Sequence, residues 1–219
     1  MVFRLLLCNW LIAAAATGAY AQPVGPKVRI AVFGDSLSAG LHLKATDAFP
    51  AQLERALKGR GQAVEVINAS VSGDTTASGL ERLRWSLPER VDAVILELGA
   101  NDALRGLDAN RAKANLEKMI TTIKTGGAEV LLAGMIAPRN MGEGYTQSFD
   151  VIYAELAKKH DVILYPFFLD GVALNGQLNL GDGIHPNSKG VAEITKRILP
   201  SVERLIERVR ARQARNPKG

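Results

Sequence analysis

The chain has 219 residues, 47% of them hydrophobic and 22% charged, with a formal net charge of +5. At roughly 150 residues per domain this length suits one domain with a large core, and the composition excludes a disordered chain, a collagen-like repeat and a disulfide scaffold. Its one cysteine, Cys8, can neither close an intramolecular disulfide nor build a thiolate metal site.

The first 21 residues read as an export signal. Met1 to Arg4 places one positive charge ahead of a mostly apolar stretch from Leu5 to Ala16. Ala19-Tyr20-Ala21 then supplies a small-x-small pattern, with cleavage expected after Ala21. The apolar run falls short of the ~20 residues that a spanning helix needs. A periplasmic or secreted protein is therefore expected.

Beyond the signal, strands are expected at 27–33, 63–69, 92–98, 129–135 and 162–165. Several are runs of Val, Ile and Leu with little alternation, as in strands covered on both faces. Helices are expected between them. Leu116, Met119, Ile120 and Ile123 form one apolar stripe at helical spacing, and Phe149, Ile152, Tyr153 and Leu156 form another. A last helix is expected from about Ser188, read as its N-cap, with Pro200 kinking or restarting it. The alternation predicts a single-domain, three-layer α/β/α fold over 22–200, with a five-stranded parallel sheet and right-handed crossovers.

The positive charge is local. From Glu203 onward there are six cations, Arg204, Arg208, Arg210, Arg212, Arg215 and Lys218, against two carboxylates, Glu203 and Glu207. Residues 201–219 are therefore expected to form a basic, solvated helix end and tail, whose cations suit the negative end of the helix dipole. A sharper reading is a weak attraction to anionic phospholipid surfaces. No nucleic-acid partner is expected, because aromatic residues do not interleave these cations. Nothing points to an obligate protein partner.

In open parallel sheets, ligands bind outside the carboxyl ends of the strands. Three polar clusters follow expected strands there: Gly34-Asp35-Ser36-Leu37-Ser38, Ser72-Gly73-Asp74-Thr75 and Gly99-Ala100-Asn101-Asp102. A fourth, Asp182-Gly183-Ile184-His185-Pro186, precedes the last helix. Each alone reads equally well as turn or cap chemistry. Together they supply what an acyl-transferring hydrolase needs, namely a nucleophile, a base, an orienter and an oxyanion hole. Ser36 is at a strand end where a sharp turn exposes its hydroxyl. Asp182, three residues before His185, can reach the Nδ1 side of its ring. Gly73 lets a backbone N–H approach a substrate oxygen closely. Asn101 offers an amide donor. His42 and His160, the other two histidines, read as surface residues.

In order and spacing these four blocks resemble the SGNH hydrolases, also called GDSL esterases, over nearly the whole mature chain. Within that family the chain is similar to the periplasmic arylesterase, lysophospholipase L1 and thioesterase I group, which Leu104-Arg105-Gly106 and Pro166-Phe167-Phe168 also resemble. The resemblance implies the flavodoxin-like fold of that family. It also implies Ser36 as nucleophile, His185 as base, Asp182 as orienter, and an oxyanion hole of the Ser36 and Gly73 N–H groups plus the Asn101 side chain. Ala100 departs from the family pattern, adding a methyl beside the oxyanion hole. The implied substrate is a small acyl or aryl ester, with no cofactor and no metal.

The rivals are weaker. An α/β-hydrolase needs Gly-x-Ser-x-Gly, a nucleotide-binding module needs Gly-x-Gly-x-x-Gly or a P-loop, and a zinc protease needs His-Glu-x-x-His; none occurs. A carbohydrate O-acetyl esterase of the same family shares the catalytic residues and is the alternative. For the substrate pocket, the segment 138–145, with two glycines, is expected to be a mobile loop that presents Met141 and Tyr145 to the acyl or aryl group. Leu104 to Leu107 is the next candidate.

Overall fold

The computed structural model describes residues 24–216, so the export signal read at 1–21 lies outside the described residues. Five strands form one sheet: β1 (Val24–Gly34), β2 (Gln62–Asn68), β3 (Ala93–Glu97), β4 (Glu129–Ala133) and β5 (Ile163–Tyr165). All neighbours pair in parallel, in the spatial order β2-β1-β3-β4-β5. The central strands are buried on both faces, which is why their sequences do not alternate; every residue of β3 is buried.

Eight helices connect and cover the sheet: α1 (Ser36–Ala39), α2 (Phe49–Gly59), α3 (Thr76–Ser86), α4 (Ala100–Leu104), α5 (Ala109–Thr125), α6 (Glu143–Asp150), α7 (Ile152–His160) and α8 (Ser188–Arg215). α2 and α8 pack together on one face, while α3, α5 and α7 share the other. The stripe of Leu116, Met119, Ile120 and Ile123 is buried along α5 as expected. The second stripe is buried too, but it is divided between α6 and α7, which meet at Val151.

The last helix differs from its sequence reading in two ways. Its N-cap is Asn187, whose side chain accepts from the N–H groups of Lys189 and Gly190, and Ser188 is the first helical residue. The helix also runs through Pro200 to Arg215 without restarting. Proline removes one backbone donor, but Val202, Leu205, Ile206 and Val209 continue the apolar stripe and are buried. The segment from Pro200 to Val209 is thus packed into the core, and only 210–216 is a half-buried to exposed basic end. Arg212 and Gln213 reach Asp92, just before β3, and Arg212 also reaches Glu129, the first residue of β4. The basic end of α8 therefore lies at the amino edge of the sheet.

Strand order reverses between β1 and β3, which are neighbours in the sheet although β2 lies between them in sequence. From β1 the chain turns to α2 on one face, and from β3 it turns to α5 on the other. Such a switch point opens a crevice at the carboxyl edge, where ligands of doubly wound sheets bind. Among the described residues no helix is long and apolar enough to cross a membrane.

Candidate active site

The chain leaves β1 into a single-turn helix that begins with Ser36. The carboxylate of Asp35 caps that turn, accepting from the N–H of Leu37 at 3.0 Å. Ser36 keeps 8% of its surface exposed, so its hydroxyl sits at the floor of the crevice. Its Oγ lies 2.9 Å from Nε2 of His185, and Nδ1 of that ring lies 2.6 Å from Oδ2 of Asp182. The other carboxylate oxygen of Asp182 accepts the N–H groups of Ile184 at 2.9 Å and His185 at 3.0 Å. These backbone donors, followed by the imidazole, hold the Asp182 carboxyl well below the usual carboxylate range. The turn itself is pinned by backbone bonds from Leu180 N–H to His185 O at 2.7 Å and from Asn187 N–H to Leu178 O at 2.9 Å.

The loop after β2 carries Gly73, whose φ of +88° suits a residue without Cβ. Its N–H, like that of Ser36, has no hydrogen-bond partner among the described residues. Thr75 caps α3 and forms a capping box with Ser78. Asp74 pairs with Arg82, and both are buried. The Arg82 guanidinium also donates to Ala69 O at 2.7 Å and Gly34 O at 3.1 Å, and lies 3.9 Å over the Phe33 ring. This one cation ties the loop to the end of β1.

The loop after β3 turns at Gly99, where φ is +121° and a Cβ would collide with the Tyr153 hydroxyl. That hydroxyl donates to Leu98 O at 2.8 Å. Asn101 then projects Nδ2 to within 2.9 Å of Asp74 O and 3.2 Å of Asp35 Oδ2. Asp102 points elsewhere: it accepts from Thr76 N–H at 2.8 Å and Thr76 Oγ1 at 2.7 Å, fastening the start of α3.

Behind Ser36 lie two buried carboxyls. Burial pushes Asp35 up to about 7, against the hydrogen bonds from Leu37 and Asn101 that favour its charge. Burial, reinforced by the negative charge of Asp35, raises Glu97 well above the usual range. Glu97 Oε2 accepts from Ser38 Oγ at 2.6 Å, and Oε1 is buried without a partner. Desolvation of this kind favours the neutral acid.

A cavity of about 530 Å³ opens beside Ser36, Asn101 and His185. Its walls are mostly apolar: Leu37, Leu104, Met135, Ile136, Ala137, Pro138, Phe167, Leu169, Leu174 and Ile184. Leu174 is 96% exposed and adopts a positive φ of 64°, uncommon for leucine. Met141 and Tyr145 do not line this cavity, contrary to the sequence reading, although Pro138, Arg139 and Asn140 of the same segment do. Residues 139–141 form a 3-10 turn, and Tyr145 lies in α6. Asp150 accepts from Ala137 N–H at 2.9 Å and pairs with Arg139 at 2.7 Å, fastening the segment at its start. Tyr145 stacks on Phe149 and donates to Asp102 O at 3.3 Å, away from Ser36. Leu104, the next candidate, does line the cavity. Among the walls that sequence reasoning missed, Ile136 lies three residues beyond β4 and Phe167 two beyond β5, so the strand-end rule alone would have pointed to them.

Of the other histidines, His42 is exposed, whereas His160 is half-buried and lies 2.9 Å from Glu117. Neither lines the cavity.

Comparison with known proteins agrees with this geometry. Residues 32–193 match the model of the GDSL-like lipase/acylhydrolase family. The chain is 44% identical over 159 residues to an arylesterase of Vibrio mimicus, covering 72% of this chain and 80% of the relative. It is 41% identical over 157 residues to thioesterase 1/protease 1/lysophospholipase L1 of Escherichia coli K12, covering 71% and 74%. The crystal structure of AlinE4, an SGNH-hydrolase family esterase, superimposes with a TM-score of 0.69 at 42% identity, covering 82% of this chain and 97% of that one. The chain therefore belongs to the GDSL-like lipase/acylhydrolase family, and its parallel sheet is the α/β fold of the SGNH hydrolases. It is a serine ester hydrolase acting on carboxylic esters.

Proposed function

We propose that Ser36 is the nucleophile, His185 the general base and Asp182 its orienter. The observation that carries this reading is the unbroken chain of contacts from Ser36 Oγ through the imidazole to Asp182. Nε2 of His185 takes the Ser36 proton as Oγ attacks the ester carbonyl, and the carbonyl becomes a tetrahedral oxyanion. The imidazolium then gives its proton to the departing alkoxide or phenoxide, leaving Ser36 acylated. Water attacks the acyl-enzyme by the same proton route and frees the acid. Asp182, already held as a carboxylate by two backbone donors, fixes the ring with N–H on Nδ1 and offsets the transient imidazolium charge.

The oxyanion hole consists of the Ser36 and Gly73 N–H groups and the Asn101 amide. Neither N–H has a hydrogen-bond partner among the described residues, which supports this role. Asn101 exchanges its longer bond, the one to Asp35 Oδ2, for the substrate oxygen. Such donors, aimed in advance at developing charge, are the largest single contribution in many hydrolases.

The apolar cavity favours acyl or aryl esters, oxygen or thio, over acetylated glycans, whose hydroxyls would be left without partners against Ile136, Phe167 and Leu169. The basic end of α8 lies at the amino edge of the sheet, so attraction to anionic lipid there leaves the cavity pointing away from that surface. The export signal at 1–21 supports a periplasmic or secreted enzyme, tested by the mass of the N-terminus recovered from an exported fraction. The deciding experiment is a p-nitrophenyl ester panel run beside lysophosphatidylcholine, acyl-CoA and an acetylated sugar, with a fluorophosphonate mapped by peptide mass. Label on Ser36 and turnover of acyl esters support the reading. Label on Ser38 or Ser72, or turnover of the acetylated sugar alone, overturns it.

A further inference from the structure

We propose that Arg105 is a positioning residue for the oxyanion donors, clamping the Gly73 loop and the Asn101 amide in one register. The inference rests on the oxyanion reading of Gly73 and Asn101 given above. Arg105 follows directly after α4. Its Nη2 lies 3.2 Å from Gly73 O and 3.4 Å from Asn101 Oδ1, and these are its only side-chain hydrogen bonds among the described residues.

A guanidinium has five donors and no acceptor. Only the oxygen of the Asn101 amide can face it, because the flipped amide would set N–H against N–H. Arg105 thereby fixes which end of that amide is turned toward the substrate. With Oδ1 taken, Nδ2 is directed at Asp74 O, Asp35 Oδ2 and the crevice. The second bond acts on the other donor. Nothing packs within 4 Å of the place a Gly73 Cβ would occupy, and the loop is exposed there. The bond from Arg105 to Gly73 O restrains a backbone that packing does not. Gly73 and Asn101 come from the ends of two strands, β2 and β3, that are not neighbours in the sheet. One exposed cation therefore joins the bond from Asn101 Nδ2 to Asp74 O in setting the spacing between two donors whose alignment decides how well charge is held in the transition state. Both bonds are long in the free enzyme, as catalytic hydrogen bonds commonly are before substrate binds.

The test is a double-mutant cycle between Arg105→Gln and Asn101→Ala on one p-nitrophenyl ester, with thermal melts of each protein. Arg105→Gln is expected to lower kcat about tenfold, less than loss of the Asn101 donor itself (~10²–10³), with KM within about twofold and an unchanged melting temperature. In the Asn101→Ala background the same substitution is expected to cost clearly less, about threefold, because the amide it positions is gone and only the bond to Gly73 O is left to lose. An unchanged kcat in Arg105→Gln overturns the proposal. So does a tenfold loss that persists in the Asn101→Ala background. Normal kcat in Asn101→Ala alone is a different result: it removes the oxyanion reading on which this inference rests.

Discussion

Nε2 of His185 lies 2.9 Å from Oγ of Ser36, although 149 positions separate the two residues. One stands at the end of the first strand of the sheet and the other on a turn just before the last helix. Nearly the whole fold must form before that contact exists. Its loss can then be tested without disturbing the fold. Ser36→Ala is expected to melt with wild type and to lose nearly all turnover, keeping at most the residual rate that binding and the oxyanion donors supply. An active Ser36→Ala protein would exclude the serine as nucleophile.

Asn101→Ala is expected to lower kcat by ~10²–10³ with little change in KM, since its donor is aimed at charge that develops only in the transition state. The same side chain ties Asp35 to Asp74, so a stability loss of roughly 1–3 kcal/mol is expected from the acceptors left behind. Steady-state kinetics and a urea melt separate the two effects. A loss confined to KM would make Asn101 a binding residue.

Glu97 carries a pH signature. Its carboxyl is raised by burial and by Asp35, so the native state keeps a proton that the unfolded chain releases above pH 4.5. The native state then binds more protons than the unfolded one, and stability falls as pH rises from there toward the native value. One group in this regime contributes a slope of about 1.4 kcal/mol per pH unit. Glu97→Gln imitates the neutral acid and removes the slope. The variant is expected to match wild type near pH 5 and to gain on it as pH rises from there, read as melting temperatures across a pH series. A difference independent of pH would show that Glu97 is charged in the fold.

Chain-length preference is expected to follow the cavity walls. Ile136→Ala should change the ratio of kcat/KM between short and medium p-nitrophenyl esters by roughly tenfold, as befits one to two methylene contacts at ~1–3 kcal/mol. Met141→Ala should leave that ratio within about twofold. The reverse order would make Met141, and not Ile136, the residue that shapes the acyl site.

Arg82→Met should be costly. It leaves Asp74 buried without its partner and frees the carbonyls of Ala69 and Gly34, a change worth roughly 3–5 kcal/mol. Chemical denaturation that finds less than 1 kcal/mol would show that water reaches Asp74 in the variant.

What the sequence made legible followed from periodicity and from chemistry local to a few residues. The strands could be placed because burial on both faces writes unbroken Val, Ile and Leu runs. Asp182 and His185 could be paired because three positions separate them on one turn. The failures share one cause, contacts between residues far apart in the chain. The glycines of 138–145 suggested mobility, but Asp150 fastens Ala137 and Arg139, and Tyr145 turns toward Phe149. Pro200 reads as a kink or a restart, but the buried stripe from Val202 to Val209 carries one helix past it without a restart. The buried Glu97 stood inside an apolar run with no local hint of the Ser38 hydroxyl or the Asp35 carboxyl beside it.

The polarity of the fold has a practical side. β1 starts, and α8 finishes, at the amino edge of the sheet, while the cavity opens at the carboxyl edge. A linker attached after Arg215 would anchor the enzyme to a bead or electrode by its back, with the mouth facing the solution. Immobilised in this orientation, the enzyme should keep its access to bulky esters, whereas attachment through an exposed side chain near Leu174 would shut them out.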